Sequence, residues 1–301
     1  MSQQYLTMEQ RAVGAYLGLA VGDALGATTE FMTPREIRQR YGVQDRMIGG
    51  GWLKLTPGQV TDDTEMSLAL GRAILAEGGV DAIAVAQAFS DWMRGKPVDI
   101  GNTVRRGIVH FRSTGEPQVP VNEYDAGNGA CMRCLPIALG YWNTAPEVWQ
   151  QASRCQSHVT HNSPVADIGT ELLLQLVISA LQGIPKDALQ RIAQVVVERQ
   201  RVYRYHRRRV ENPSGWIVET LQVVLQAFFA HDGFQETLVD VVNRGGDADT
   251  TGAIVGMLAG AYYGVMKIPI SWLKALNPKV RRACEQQALE LLALAARLNP
   301  G

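Results

Sequence analysis

The chain has 301 residues, 46% of them hydrophobic, and its 29 basic side chains are balanced by 29 acidic ones at a pI near 7.0. That apolar share can bury a full core and excludes a mostly disordered chain. The balanced charge excludes a global pull toward nucleic acid or an anionic membrane, so no nucleic-acid partner is expected.

The opening residues Met1-Ser2-Gln3-Gln4 are polar and run directly into a helical pattern, which predicts no secretory signal. Residues 8–26 place Val13, Tyr16, Leu17 and Ala20 on one side of a helix. The same periodicity predicts helices over 64–77, 80–94, 129–141, 146–156, 165–182, 186–200, 215–230, 234–243, 250–264 and 279–298. Between them, Gly49-Gly50-Gly51, Pro57-Gly58, Gly115-Glu116-Pro117 and Asn212-Pro213-Ser214-Gly215 read as loops. Strand-like alternation is nearly absent and no linker long enough to divide the chain appears, so the expectation is one all-α domain over residues 1–301. The most apolar stretch, Ala253 to Met266, is shorter than the roughly 20 residues of a bilayer span, so no transmembrane segment is expected. Four cysteines do not suggest a disulfide scaffold. These bounds fit a cytoplasmic enzyme.

Glycine recurs every fourth residue at Gly14, Gly18, Gly22 and Gly26, and again at Gly252, Gly256, Gly260 and Gly264. Positions four apart share a helix face. Glycine inside a helix costs about 1 kcal/mol relative to alanine. A stripe of four therefore predicts a compensating close approach between each helix and another backbone.

Two acidic motifs stand before helical runs: Thr61-Asp62-Asp63-Thr64, and Asp247-Ala248-Asp249-Thr250-Thr251 after Gly245-Gly246. Helix capping is the simplest account of acids there. A cap, however, needs one side-chain oxygen, and each motif offers two carboxylates and a hydroxyl. Such an excess suits a hard cation, which selects carboxylate, hydroxyl and water oxygen. Glu30 follows the first glycine-striped helix and would join the set if the two striped helices were neighbours. Each carboxylate pair at about 4 Å would repel by roughly 4 kcal/mol at an effective dielectric of 20, so convergence calls for divalent cations or retained protons. Two ions about 3.5–4 Å apart is one known solution.

At these residues the chain resembles the ADP-ribosylglycohydrolase family. The resemblance runs from Gly14-Ala15-Tyr16-Leu17-Gly18 through Gly22-Asp23-Ala24-Leu25-Gly26 and Glu30-Phe31-Met32, Gly49-Gly50-Gly51-Trp52, and Pro57 to Met66. It continues through Pro97-Val98-Asp99-Ile100-Gly101-Asn102-Thr103, Asp125-Ala126-Gly127-Asn128-Gly129-Ala130 and Thr160-His161-Asn162 to Gly245-Gly246-Asp247 and Gly252. It implies a compact orthogonal helical fold with a central two-metal cleft, and hydrolysis of the N-glycosidic bond between ADP-ribose and a protein arginine. The branch most resembled acts on the ADP-ribosylated nitrogenase iron protein, with Mn²⁺ as the expected ion and Mg²⁺ as the alternative. The resemblance also brings in a PII-type signalling protein and peripheral recruitment to the membrane, for which no motif is visible. Carried over by motif, it implies Thr61, Asp62, Asp63, Asp247, Asp249 and Thr250 as metal ligands. Asp99, Glu30 and Asp62 are then implied beside the reacting sugar, and Asn102, Asp125, Asn128, Gly129 and His161 in the ADP-ribose pocket. Other ADP-ribose conjugates, or a non-catalytic member of the family, are the competing readings.

Cleavage of a ribosyl–guanidine bond builds positive character at the anomeric carbon. The guanidinium already carries its proton, so the harder tasks are holding the ribose and activating water. Either Asp99 or Glu30 suits the base, and the residue pattern does not choose between them. The glycines of Gly101-Asn102 and Gly127-Asn128-Gly129 suit loops whose backbone N–H groups approach a diphosphate. Cys131-Met132-Arg133-Cys134 is weak as a zinc half-site, and Cys131 is read as a small core residue. Arg204-Tyr205-His206-Arg207-Arg208-Arg209 reads as a solvated basic face, with an acidic protein partner as its alternative. His158 and His161 are not read as metal ligands beside so oxygen-rich a set.

Overall fold

Thr7 starts the first helix of the computed structural model, which describes residues 6–298, so Met1–Gln4 lie outside the described residues. Its hydroxyl accepts from the Gln10 N–H while the Gln10 side chain takes the Thr7 N–H, a capping box that fixes the start of α1 (Met8–Gly26). There follow α2 (Pro34–Tyr41), α3 (Asp62–Glu77), α4 (Ala82–Arg94), α5 (Asn102–Thr114), α6 (Leu135–Gly140) and α7 (Pro146–Ser157). The second half supplies α8 (Pro164–Leu181), α9 (Lys186–Arg199), α10 (Ile217–Ala230), α11 (Phe234–Val242), α12 (Ala248–Tyr263), α13 (Ile270–Ala275) and α14 (Pro278–Leu298). Among the described residues the β-type pairings are two isolated bridges, Gly50 with Leu55 and Gly127 with Trp216. The all-α expectation holds.

The two glycine-striped helices pack against each other, antiparallel. A Cβ added at Gly14 would lie 2.5 Å from the Gly260 carbonyl oxygen; at Gly18 it would overlap Gly256, and at Gly22 it would overlap Gly252. Ala248 rather than a glycine stands opposite Gly26. Gly264, the fourth glycine of the second stripe in sequence, instead ends α12 at φ +77° beside Leu6. The reading of α1 as one-sided needs correction, because it is buried on nearly every face from Arg11 to Gly26, and α12 is buried along its whole length. Such helices form the centre of a fold rather than its edge. Buried Arg11 donates to the carbonyls of Ala180, Ala261 and Tyr262, satisfying helix-end oxygens of α8 and α12.

Helix α8 is a longer apolar segment than Ala253 to Met266. Among the described residues it is the one helix long and apolar enough, at 18 residues, to cross a membrane. Two thirds of it is buried against other helices, which is the placement of a core helix. Cys131 lies in the core as expected, Cys134 lies there too, and all four cysteines are free.

A buried ion pair anchors the chain just ahead of the second acidic motif. Arg244, 2% exposed, donates to both oxygens of Asp240 and also to the Val210 carbonyl and the Gln226 side chain. Burial works to raise the Asp240 carboxyl, but hydrogen bonds from Arg244 and Arg209 outweigh it and hold the group well below the usual carboxylate range. A depressed carboxylate stabilises the fold above its unfolded pKa, near 4, and loses that contribution as pH falls through the folded value. Urea midpoints measured downward from pH 5 should therefore fall for the wild type and fall less steeply for Asp240→Asn. Asp240→Asn should also be less stable by about 3 kcal/mol at pH 7, because Arg244 is left without its counter-charge.

Candidate active site

Both acidic motifs begin helices, yet neither caps one. Thr61 and Asp247 occupy the N-cap positions of α3 and α12 without any side-chain cap hydrogen bond. The capping of α3 falls to Asp23, reaching across from α1. Its carboxylate accepts the N–H groups of Thr61 (2.9 Å) and Thr64 (3.1 Å) and the hydroxyls of both threonines. Burial pushes the Asp23 carboxyl up to about 6 against these four hydrogen bonds. The sequence motif Gly22-Asp23-Ala24 does not itself reveal this task for Asp23. The available signal was a lone carboxylate on an otherwise apolar, glycine-striped helix, where a charge requires partners. Asp23→Asn loses acceptor capacity for at least one buried donor. It should destabilise the fold by about 1–3 kcal/mol in denaturant titrations and weaken divalent-cation binding in the same preparation.

The antiparallel packing sets the C-terminal end of α1 beside the N-terminal end of α12. The turn after α1 is tied to the glycine loop twice, by Phe31 N–H to Gly246 O (2.7 Å) and Gly246 N–H to Met32 O (3.0 Å). Gly245 and Gly246 lie at φ +69° and +65°, and a Cβ on either would overlap a neighbouring carbonyl, so only glycine fits. Phe31 itself is held at φ +61°, a strained value for a bulky residue. This stitching puts Glu30 with Asp247 and Asp249, whose oxygens lie within 4.8 Å of one another.

Asp62 and Asp63 approach from α3. Burial, followed by repulsion from Asp99 and Asp23, raises Asp62 to about 8. Burial raises Glu30 to about 8 as well, opposed by the Trp52 indole N–H at 2.6 Å and reinforced by Asp247, Asp99 and Asp62. Asp63, Asp247 and Asp249 are raised too, burial leading in each case. One oxygen of Asp63 and one of Asp249 are buried without any hydrogen-bond partner. Crowded carboxylates with orphaned oxygens and an all-oxygen donor set fit a hard divalent cation.

The opposite wall is Asp99-Ile100-Gly101-Asn102, where Asp99 Oδ1 accepts the Ile100 N–H and Asp62 accepts the Gly101 N–H. Asn102 starts α5 at the rim of the cleft. The cleft encloses about 430 Å³, and Glu30, Asp62, Asp99, Asn102, Asn128, Gly129, His161, Asp247, Asp249 and Thr250 all line it. Thr61 and Asp63 are fully buried beneath that surface, with the Thr61 hydroxyl donating to Asp23 and near Asp63. Asn128 spends its amide hydrogens on Asp247 (2.5 Å) and Thr220 (3.0 Å), so it orients a carboxylate. Asp125 is not brought into the cleft: it pairs with Arg106 at 2.6 Å and lines a neighbouring depression with His110 and Thr160. His158 pairs with Asp167, away from the cleft. In the basic stretch, His206 to Arg209 are exposed while Tyr205 is buried.

An all-helical body with an acid-lined cleft of this make could hold a metal ion among its carboxylates. A sequence model of ADP-ribosylglycohydrolases matches residues 4–300, and the chain belongs to that family. It is 47% identical over 291 residues to the ADP-ribosyl-[dinitrogen reductase] glycohydrolase of Rhodospirillum rubrum, covering 96% of this chain and 98% of that one. It is 35% identical to the ADP-ribosylarginine hydrolase Tri1 of Pseudomonas putida, over 89% of this chain and 76% of the relative. A solved structure described as an ADP-ribosylglycohydrolase-related protein complex superposes with a TM-score of 0.83 at 36% identity, covering 96% of this chain and 99% of that one.

Proposed function

We propose that the chain, acting as one unit over residues 1–301, cleaves ADP-ribose from a protein arginine, with the ADP-ribosylated nitrogenase iron protein as its target. The observation that carries this reading is the convergence of Glu30, Asp62, Asp99, Asp247 and Asp249 on one cleft. The choice of target is supported by the Rhodospirillum rubrum relative, whose name specifies dinitrogen reductase, and the arginine linkage by the Tri1 relatives. A cytoplasmic location goes with that target.

Asp62, Asp63, Asp247, Asp249 and Thr250, with Thr61 behind them, would hold two divalent cations, Mn²⁺ in preference to Mg²⁺. Such ions, when bound, hold ribose hydroxyls and lower the pKa of water. Asn128 fixes the Asp247 carboxylate, and Asp23 fixes the end of α3 that carries Asp62 and Asp63. Asp99 takes the role of base in preference to Glu30, because Glu30 already accepts the Trp52 N–H and lies among the carboxylates of Asp247 and Asp249 that would surround the ions. Asp99 removes a proton from water as oxygen bonds to the anomeric carbon. The carbon–nitrogen bond breaks with its electron pair going to nitrogen, and the departing neutral guanidine takes up a proton to become arginine again. Asn102, Gly129 and His161 line the part of the cleft that receives the rest of ADP-ribose.

Incubation of ADP-ribosylated iron protein with the full chain and manganese should release ADP-ribose. No release, alongside turnover of another ADP-ribose conjugate, would replace the target. Binding of ADP-ribose with cleavage of no conjugate would remove the catalytic reading.

A further inference from the structure

The residue that fixes His161 is neither a carboxylate nor a metal ligand. Thr160 and His161 are both buried, and the Thr160 hydroxyl oxygen lies 2.7 Å from His161 Nδ1. The same oxygen accepts a hydrogen bond from Arg133 Nη2 at 2.8 Å. Arg133 is fully buried and cannot rotate away: its Nε donates to Gln156 Oε1 (2.9 Å), Nη2 also reaches the Gln156 carbonyl (3.0 Å), and its guanidinium sits 4.2 Å above the Phe89 ring.

A guanidinium only donates, so Thr160 must be the acceptor in the first link. The threonine then has one hydrogen left to place. Among the described residues, the acceptor within reach of it is His161 Nδ1. The reverse arrangement, with Nδ1–H donating to threonine, would make Oγ1 accept twice and leave the hydrogen of this buried hydroxyl without a protein acceptor, a cost of about 1–3 kcal/mol. We infer that Arg133 and Thr160 form a one-way relay that locks His161 as the neutral tautomer with its proton on Nε2, presenting a fixed donor to the cleft. Nε2 sits at the Gly127-Asn128-Gly129 loop, where a Cβ added at Gly127 or Gly129 would come within 3.1 Å of it. The ring remains neutral, since burial and then the nearby Arg133 and Arg106 lower its pKa to about 3. It therefore offers one N–H and no charge, which suits an oxygen acceptor of the nucleotide-sugar. Thr160 and Arg133 are positioning residues.

This deepens the proposed function and rests on it only for the ligand, because the tautomer can be read without one. In full-length protein carrying ¹⁵N-histidine, with the His161 signals assigned by their loss in His161→Gln, the ring should show Nε2 protonated and Nδ1 bare. Thr160→Val removes the hydroxyl and should mix the tautomers and weaken ADP-ribose binding about tenfold, equivalent to about 1.4 kcal/mol. Thr160→Ser should restore both readouts, which a purely space-filling role would not predict. A wild-type ring protonated on Nδ1, or a Thr160→Val protein with unchanged tautomer and affinity, overturns the inference. If Thr160→Val does not fold, the wild-type spectrum still decides. A chain that binds no ADP-ribose would count against the proposed function while leaving the tautomer measurable.

Discussion

Asp247→Ala is expected to lower turnover at saturating substrate by at least about a thousandfold, roughly 4 kcal/mol of barrier, and to reduce bound divalent cation. The effect is large because Asp247 stands where three supports meet: the glycine loop behind it, the Asn128 amide at its side, and Glu30 and Asp249 around it. Helicity should be retained, since Asp247 makes no side-chain cap bond to α12. Kinetics with metal analysis and far-ultraviolet circular dichroism on one preparation would check all three statements. Full activity with normal metal content would remove Asp247 from the site.

Gly22→Ala should destabilise the fold by about 3 kcal/mol or more, read as a shift in the urea midpoint. The sign is informative. Alanine in place of a helical glycine ordinarily stabilises by about 1 kcal/mol. Here the new methyl would overlap the Gly252 carbonyl and carbon of the facing helix, both backbone atoms unable to step aside. Forcing α1 from α12 also draws Glu30 away from Asp247 and Asp249, so cation affinity should fall with stability. A stabilised Gly22→Ala protein would show that the two backbones do not touch.

The stripes and acidic motifs were legible because backbone contact and crowded charge leave few residue choices. Elements with weak burial were not. Helix α2 buries only Ile37, so no apolar periodicity marks it, although Thr33, Pro34 and Glu36 spell a capped start. Helix α5 buries Val104, Gly107 and Ile108, and its opening Gly101-Asn102 reads as a turn until the chain is folded. Helix α13 is six residues long, too short for periodicity to declare itself. The helix expected over 129–141 shrinks to Leu135–Gly140 because Pro136 fits only a first turn. At the site, sequence identified the carboxylates but not what orients them. Asp23 and Asn128 act across long separations in the chain, and only the packing of α1, α3, α10 and α12 reveals their partners. Asp125 shows the converse, a motif residue whose side chain turns to Arg106.

The two helices that meet through bare backbone lie far apart along the sequence. Their pairing is highly non-local, and such contacts slow folding. During synthesis α1 emerges before α12, and this helix, buried on nearly every face in the fold, must wait for α12 before its surface can be covered. Until then the nascent chain is prone to aggregate and holds no complete set of cation-binding oxygens. The cation-binding set is thus incomplete until α12 has been made, and a ribosome-stalled chain lacking α12 should recruit chaperones while binding no divalent ion.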